Sequence, residues 1–184
     1  MQELSLNILD IAQNSVVAGA SLIEISLEAF GEDYKMLSIT VKDNGKGMDR
    51  QTLVSVTNPF FTSRTTRKVG LGIPLFKMAA EQTGGWFEID STEGVGTVLK
   101  AVFDTSNIDC TPLGEVWDTM AILIQMNENI DFVYTVKRDD GEFVCDTRRL
   151  KEIMEGMPLP DLSVVQWIKE FIEENQFEIF KRRY

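Results

Sequence analysis

The chain has 184 residues, 43% hydrophobic and 26% charged, which suits one globular domain with room for a small second unit. Its formal net charge of −11 argues against a general nucleic-acid or anionic-membrane surface, because both need a basic patch, but leaves a small anionic ligand open. There is no histidine, so imidazole metal sites, Ser-His-Asp triads and histidine general bases are all excluded.

Residues 3–18 carry apolar side chains at Leu4, Ile8, Ile11, Ala12 and Val16, the spacing of an amphipathic helix, and Gly19 is a natural stop. Residues 22–30 alternate Ile23, Ile25, Leu27 and Ala29 against polar neighbours, which predicts a half-buried strand. A turn at 31–35 leads to a second strand over 36–42, with Leu37, Ile39 and Val41 inward, so the pair reads as an antiparallel hairpin. A short helix is expected over 49–56, a polar and basic loop over 57–70, and a helix over 73–83 with Pro74 in its first turn. Gly84 and Gly85 end that helix, and strands follow at 86–91 and 96–103. Paired strands with helices between them predict an α/β two-layer sandwich.

The pattern changes after Phe103. A polar linker covers 104–112, and a helix is expected over 113–126. Strand-like runs at 131–137 and 142–146 flank an Asp-Gly hairpin signal. Helices at 147–155 and about 162–181 finish the chain, the last with Val164, Trp167, Ile168, Phe171 and Ile172 on one apolar face. The expected division is therefore 1–104 and a small α+β C-terminal extension, 105–184, which either completes the core or docks a partner. If it docks, its removal should leave ligand affinity within about tenfold. Cys110 and Cys145 form no CxxC pair and are expected as reduced thiols. No secretory signal is expected, and the longest apolar run, 120–124, is too short for a bilayer, so a cytoplasmic protein without a membrane partner is anticipated.

Four motifs carry chemistry. Asp10 and Asn14 lie four apart on the first predicted helix, which puts a carboxylate and a carboxamide on one face. A carboxamide oxygen can ligate magnesium and a carboxylate can orient or deprotonate water. Asp43-Asn44-Gly45-Lys46-Gly47 follows the second strand: an acceptor-only carboxylate suits the exocyclic amine of adenine, two glycines allow close backbone approach to a ring, and Met48 can pack on it. Gly70-Leu71-Gly72 opens a helix whose free N–H groups suit an anion, preceded by the basic run Arg64, Thr65, Thr66, Arg67 and Lys68. Gly94-Val95-Gly96-Thr97 precedes the strand at 96–103. Taken singly, each also fits ordinary structure: a solvated helix face, a strand-to-helix turn, a basic loop, a hairpin turn. The GxxxxGK[ST] phosphate loop is absent, and the GxG does not follow a strand directly as a dinucleotide fingerprint would.

In order and spacing these motifs resemble the GHKL, or Bergerat-fold, ATPase superfamily. Residues 9–15 (LDIAQNS) with Ala18, Gly19 and Ala20 are similar to the N box of MutL-type ATPases. Residues 58–63 (NPFFTS) resemble the F-box segment of histidine kinases, and Gly70-Leu71-Gly72-Ile73 their second glycine box. The resemblance covers about residues 3–104. It implies a Bergerat ATP-binding fold with ATP and Mg2+ as cofactors. Asn14 would ligate magnesium. Asp10 would stand at the general-base position, one methylene shorter than the family's Glu. Asp43 would take the adenine amine, and Gly45, Gly47, Met48, Gly70, Leu71, Gly72 and Thr97 would shape or touch the nucleotide. A mobile ATP lid would include Phe60, Thr62, Arg64, Thr65, Arg67 and Lys68. Only two residues precede the N-box helix, so no intramolecular strap is expected; homodimerisation stays open.

Without a histidine, this chain cannot be its own histidine phospho-acceptor. The leading expectation is a kinase-type domain transferring phosphate in trans to an unidentified protein partner in signal transduction. The alternatives are an ATP-hydrolysing conformational switch and a nucleotide-sensing regulatory subunit.

Overall fold

A computed structural model describes residues 3–57 and 71–180. Helix α1 (Leu4–Val17) is followed by β1 (Leu22–Phe30), a 3-10 turn (Glu32–Tyr34), β2 (Met36–Asp43) and α2 (Arg50–Val56). Then come α3 (Gly72–Gln82), β3 (Trp86–Thr92), β4 (Gly96–Asp104) and α4 (Val116–Met126). The hairpin β5 (Asp131–Arg138) and β6 (Gly141–Asp146) leads to α5 (Thr147–Ile153) and α6 (Leu162–Phe180). Among the described residues no helix is long and apolar enough to cross a membrane.

Six strands form one sheet in the order β3-β4-β2-β1-β5-β6. Every neighbouring pair is antiparallel except β1 with β5. Because β4 runs the same way as β1, the path from β4 through α4 to β5 is a crossover between parallel strands, which needs a helix-length connection. The period-2 pattern of β1 does as its residues dictate: Ile23, Ile25, Leu27 and Ala29 are at most 2% exposed, and the intervening side chains form the other face. On the buried face α1 packs between α3 and α4, and α4 packs on α6. This is the two-layer α/β sandwich.

One core runs through both halves of the chain, taking Ile8, Phe76 and Phe103 together with Leu123, Phe132, Tyr134 and Ile168. Backbone bonds also tie the halves: Leu4 N donates to Pro112 O at 2.9 Å and Ser5 N to Leu113 O at 2.8 Å. These satisfy two of the first N–H groups of α1, which has no side-chain cap.

The final helix differs from expectation in its face. Val164, Val165, Ile168, Ile172, Gln176 and Phe180 are buried, whereas Trp167 is 43% exposed. Trp167 stacks on Phe171 instead, centroids 5.1 Å apart, and Phe171 meets Phe143 edge-on. Gln176 takes an inward place because the buried Tyr134 hydroxyl donates to its Oε1 at 2.6 Å.

Candidate functional site

Three of the four sequence motifs meet at one end of the sheet, and the described part of the other joins them. Asp43 is the last residue of β2 and pairs in register with Thr97 on β4, so both side chains leave the sheet on the same face. That face carries α1. Ser15, 3% exposed on α1, donates its Oγ–H to Asp43 Oδ2 at 2.7 Å. Gly45 N donates to Asp43 Oδ1 at 2.8 Å, the local turn that Asp favours two residues ahead. Both carboxylate oxygens are thereby anchored while lone pairs remain for a ligand.

The backbone around Asp43 is close-packed. A Cβ on Gly45 would lie 2.9 Å from Ala18 Cβ, and Lys46 N donates to Ala18 O at 3.0 Å, so this loop sits against the end of α1. Gly47 has φ +64, and a Cβ there would lie 2.0 Å from Thr92 O, so only glycine fits without moving the β3–β4 hairpin. Met48 is half-buried against the core, and its N–H bonds Ser91 Oγ at 2.9 Å. Thr97 Oγ1 lies 2.9 Å from the same Ser91 Oγ.

Asp10 and Asn14 are exposed on α1, one turn apart. Gly72 is buried, and a Cβ on it would stand 3.1 Å from Asp10 Cβ, which brings the start of α3 against the acidic turn of α1. Leu71 precedes α3 without a side-chain cap, so among the described residues no side chain caps the first-turn N–H groups of Gly72 and Ile73, while Pro74 has none. Gly70 and the residues expected to form a lid, Phe60, Thr62, Arg64, Thr65, Arg67 and Lys68, lie outside the described residues.

Sequence reasoning passed over three residues. Ser15 was read only as part of the box around Asn14. Its signal was a small hydroxyl in an inward helix register, one residue past the carboxamide. Asn44 clamps the loop: its Oδ1 accepts from Ser21 N and Leu22 N, both at 2.9 Å, and its Nδ2 donates to Ser21 Oγ. Ser91 joins the Met48 loop to the Gly96 carbonyl, and nothing in the local sequence marks it.

A magnesium ion fits this donor set only in part. Among the described residues no group of three or more acidic, Cys or His side chains could hold a metal. Asn14 and Asp10 alone are sparse, which suits an ion held mainly through phosphate oxygens and water.

Comparison with known proteins shows the family. The family model described as "Histidine kinase-, DNA gyrase B-, and HSP90-like ATPase" matches residues 1–107. Sensor histidine kinase YvrG of Bacillus subtilis is 34% identical over 71 residues, covering 36% of this chain and 12% of that protein. Sensor histidine kinase ZraS of Salmonella typhimurium is 33% identical over 92 residues, 50% of this chain and 20% of that kinase. The chain thus matches only a small part of the length of these kinases. A solved N-terminal domain of a DNA repair protein aligns with a TM-score of 0.55 at 16% identity, over 78% of this chain and 52% of that one, which shows the fold alone. The chain belongs to the histidine kinase-, DNA gyrase B- and HSP90-like ATPase family and carries its histidine-kinase-like ATP-binding domain.

Proposed function

We propose that this domain binds Mg-ATP between α1, the end of β2 and the start of α3, and transfers the terminal phosphoryl group to a separate protein. The observation that carries the reading is the anchoring of Asp43 by Ser15 and Gly45 beside the Asn14 turn. A carboxylate held by two donors is a fixed acceptor for the adenine amine and repels the carbonyl of guanine. The first-turn N–H groups of α3, which no described side chain caps, would form the positive pole for the phosphates together with the basic residues of 64–68. Magnesium, when bound, would neutralise phosphate charge, and Asn14 would hold it. Transfer in trans is favoured because relatives are sensor histidine kinases while this chain has no histidine. Asp10 would orient or deprotonate the attacking group.

Two substitutions test the parts. Asp10→Asn is expected to keep ATP affinity, read by calorimetry, and to lose phosphate release or transfer by about 100-fold or more; unchanged turnover would remove Asp10 from the chemistry. Ser15→Ala is expected to weaken ATP about five- to tenfold with the far-UV spectrum unchanged, about 1 kcal/mol for loosening Asp43 by one hydrogen bond while Gly45 still holds it. Equal affinity would mean that Gly45 alone suffices to hold Asp43. Incubation of the chain with labelled ATP and a lysate, scoring label on a captured protein, tests the transfer itself: released phosphate without any labelled protein would favour a hydrolysing switch.

A further inference from the structure

A second cavity, of about 490 Å³, opens at the other end of the sheet. Leu37, which lines it, is the second residue of the strand that Asp43 ends. Its apolar walls are Leu4, Leu113, Trp117 and Phe177, from the start of α1, the 105–115 connection, α4 and α6. The rings of Trp117 and Phe177 stand 5.5 Å apart at 39°, and Phe177 is 54% exposed, so an aromatic surface faces the opening. Glu115 and Glu173 also line the cavity, and no described lining residue is basic.

Among the described residues the surrounding charge is unbalanced in the same sense. Lys169 pairs with Asp118 at 2.5 Å and its charge also reaches Glu115 and Glu173, one cation among several carboxylates. Ser5 Oγ holds Glu3 Oε2 at 3.2 Å, and that oxygen lies where Gly114 would otherwise carry a Cβ, at the cavity wall. The Glu115 carboxyl is raised by its hydrogen bond with Asp118 and by the charges of Asp118 and Glu3. Acid alone would be a solvated cluster. Here it borders an apolar, aromatic concavity, which is the environment that a planar, weakly hydrated cation fills better than an ammonium does.

We propose that this cavity seats an arginine of a protein partner, its guanidinium against Trp117 and Phe177 and paired with Glu115 and Glu173, with a neighbouring apolar residue on Leu4 and Leu113. The site is separate from the nucleotide site and does not depend on the reading given to it.

Cys110 supplies the reporter. It is a half-buried lining residue, whereas Cys145 is 3% exposed and its thiol is pushed up to about 12 by burial, so alkylation of the folded chain reads Cys110. The full chain is treated with iodoacetamide in the presence of acetyl-Leu-Arg-Leu-amide or the same peptide with citrulline, the neutral isostere. The arginine peptide is expected to slow alkylation by about fivefold at saturation, the citrulline peptide to have no effect, and Glu115→Gln/Glu173→Gln to abolish the protection. Equal protection by both peptides, protection by neither, or protection that survives the double substitution would each overturn the proposal.

Discussion

Asp43→Asn is expected to weaken ATP binding by about 30- to 150-fold, equivalent to about 2–3 kcal/mol for a charge-assisted contact in a partly buried site. The reason lies in donor and acceptor counting. Asp43 accepts from the Ser15 hydroxyl and from the Gly45 N–H and has lone pairs left for the adenine amine. Asparagine keeps one acceptor oxygen and replaces the other with an N–H₂ group. If that group faces Gly45 N, two donors oppose each other. If it faces Ser15, the hydroxyl can turn round, but the site then presents a donor where the ligand's own donor must go. Either way the site loses its charge and turns one acceptor position into a donor, which weakens the bond to the adenine amine. Calorimetry with ATP and magnesium measures the loss, and a thermal melt separates it from unfolding. An affinity within about threefold of the parent, in a folded variant, would remove Asp43 from adenine recognition.

The first two strands were legible because of their alternation. Leu22–Phe30 buries every second residue from Ile23 to Ala29, and Met36–Asp43 buries Leu37, Ile39 and Val41 with Ser38 as the one break, so a period of two is hard to mistake. The motif glycines were legible for a related reason. Gly47 and Gly96 sit at positive φ with backbone in the space of a Cβ, so the backbone itself demands glycine. What stayed hidden was long-range. Nothing in residues 131–137 announces a parallel register against β1, since the run is equally suited to a free hairpin. Ser15 was likewise hidden as an anchor: its inward register marks it as buried, but its partner is 28 residues away and nothing local names it. Trp167 misled for the opposite reason: its helical spacing fits the apolar face, yet it stacks on Phe171 at the rim.

Removal of residues 105–184 is expected to abolish cooperative folding of the remainder, not merely partner binding. β5 pairs with β1 over eight residues, from Leu22 opposite Asp131 to Ala29 opposite Arg138, so its loss turns the middle of the sheet into an edge. α4 covers part of α1, where Leu4 and Ile8 are at most 1% exposed, and α6 covers β5 and β6. Each fully buried Leu or Ile side chain contributes about 1.5–3 kcal/mol, and a domain's net stability is about 5–15 kcal/mol, so uncovering a handful of them suffices. The first N–H groups of α1 would also lose the Pro112 and Leu113 carbonyls. Because α1 carries Asn14 and Ser15, a loosened α1 would take the anchoring of Asp43 with it. Circular dichroism melts and calorimetry on residues 1–104 decide the matter. A soluble fragment that melts cooperatively and binds ATP within about tenfold of the whole chain would show that the first four strands stand alone and that the later ones are an addition to a finished fold.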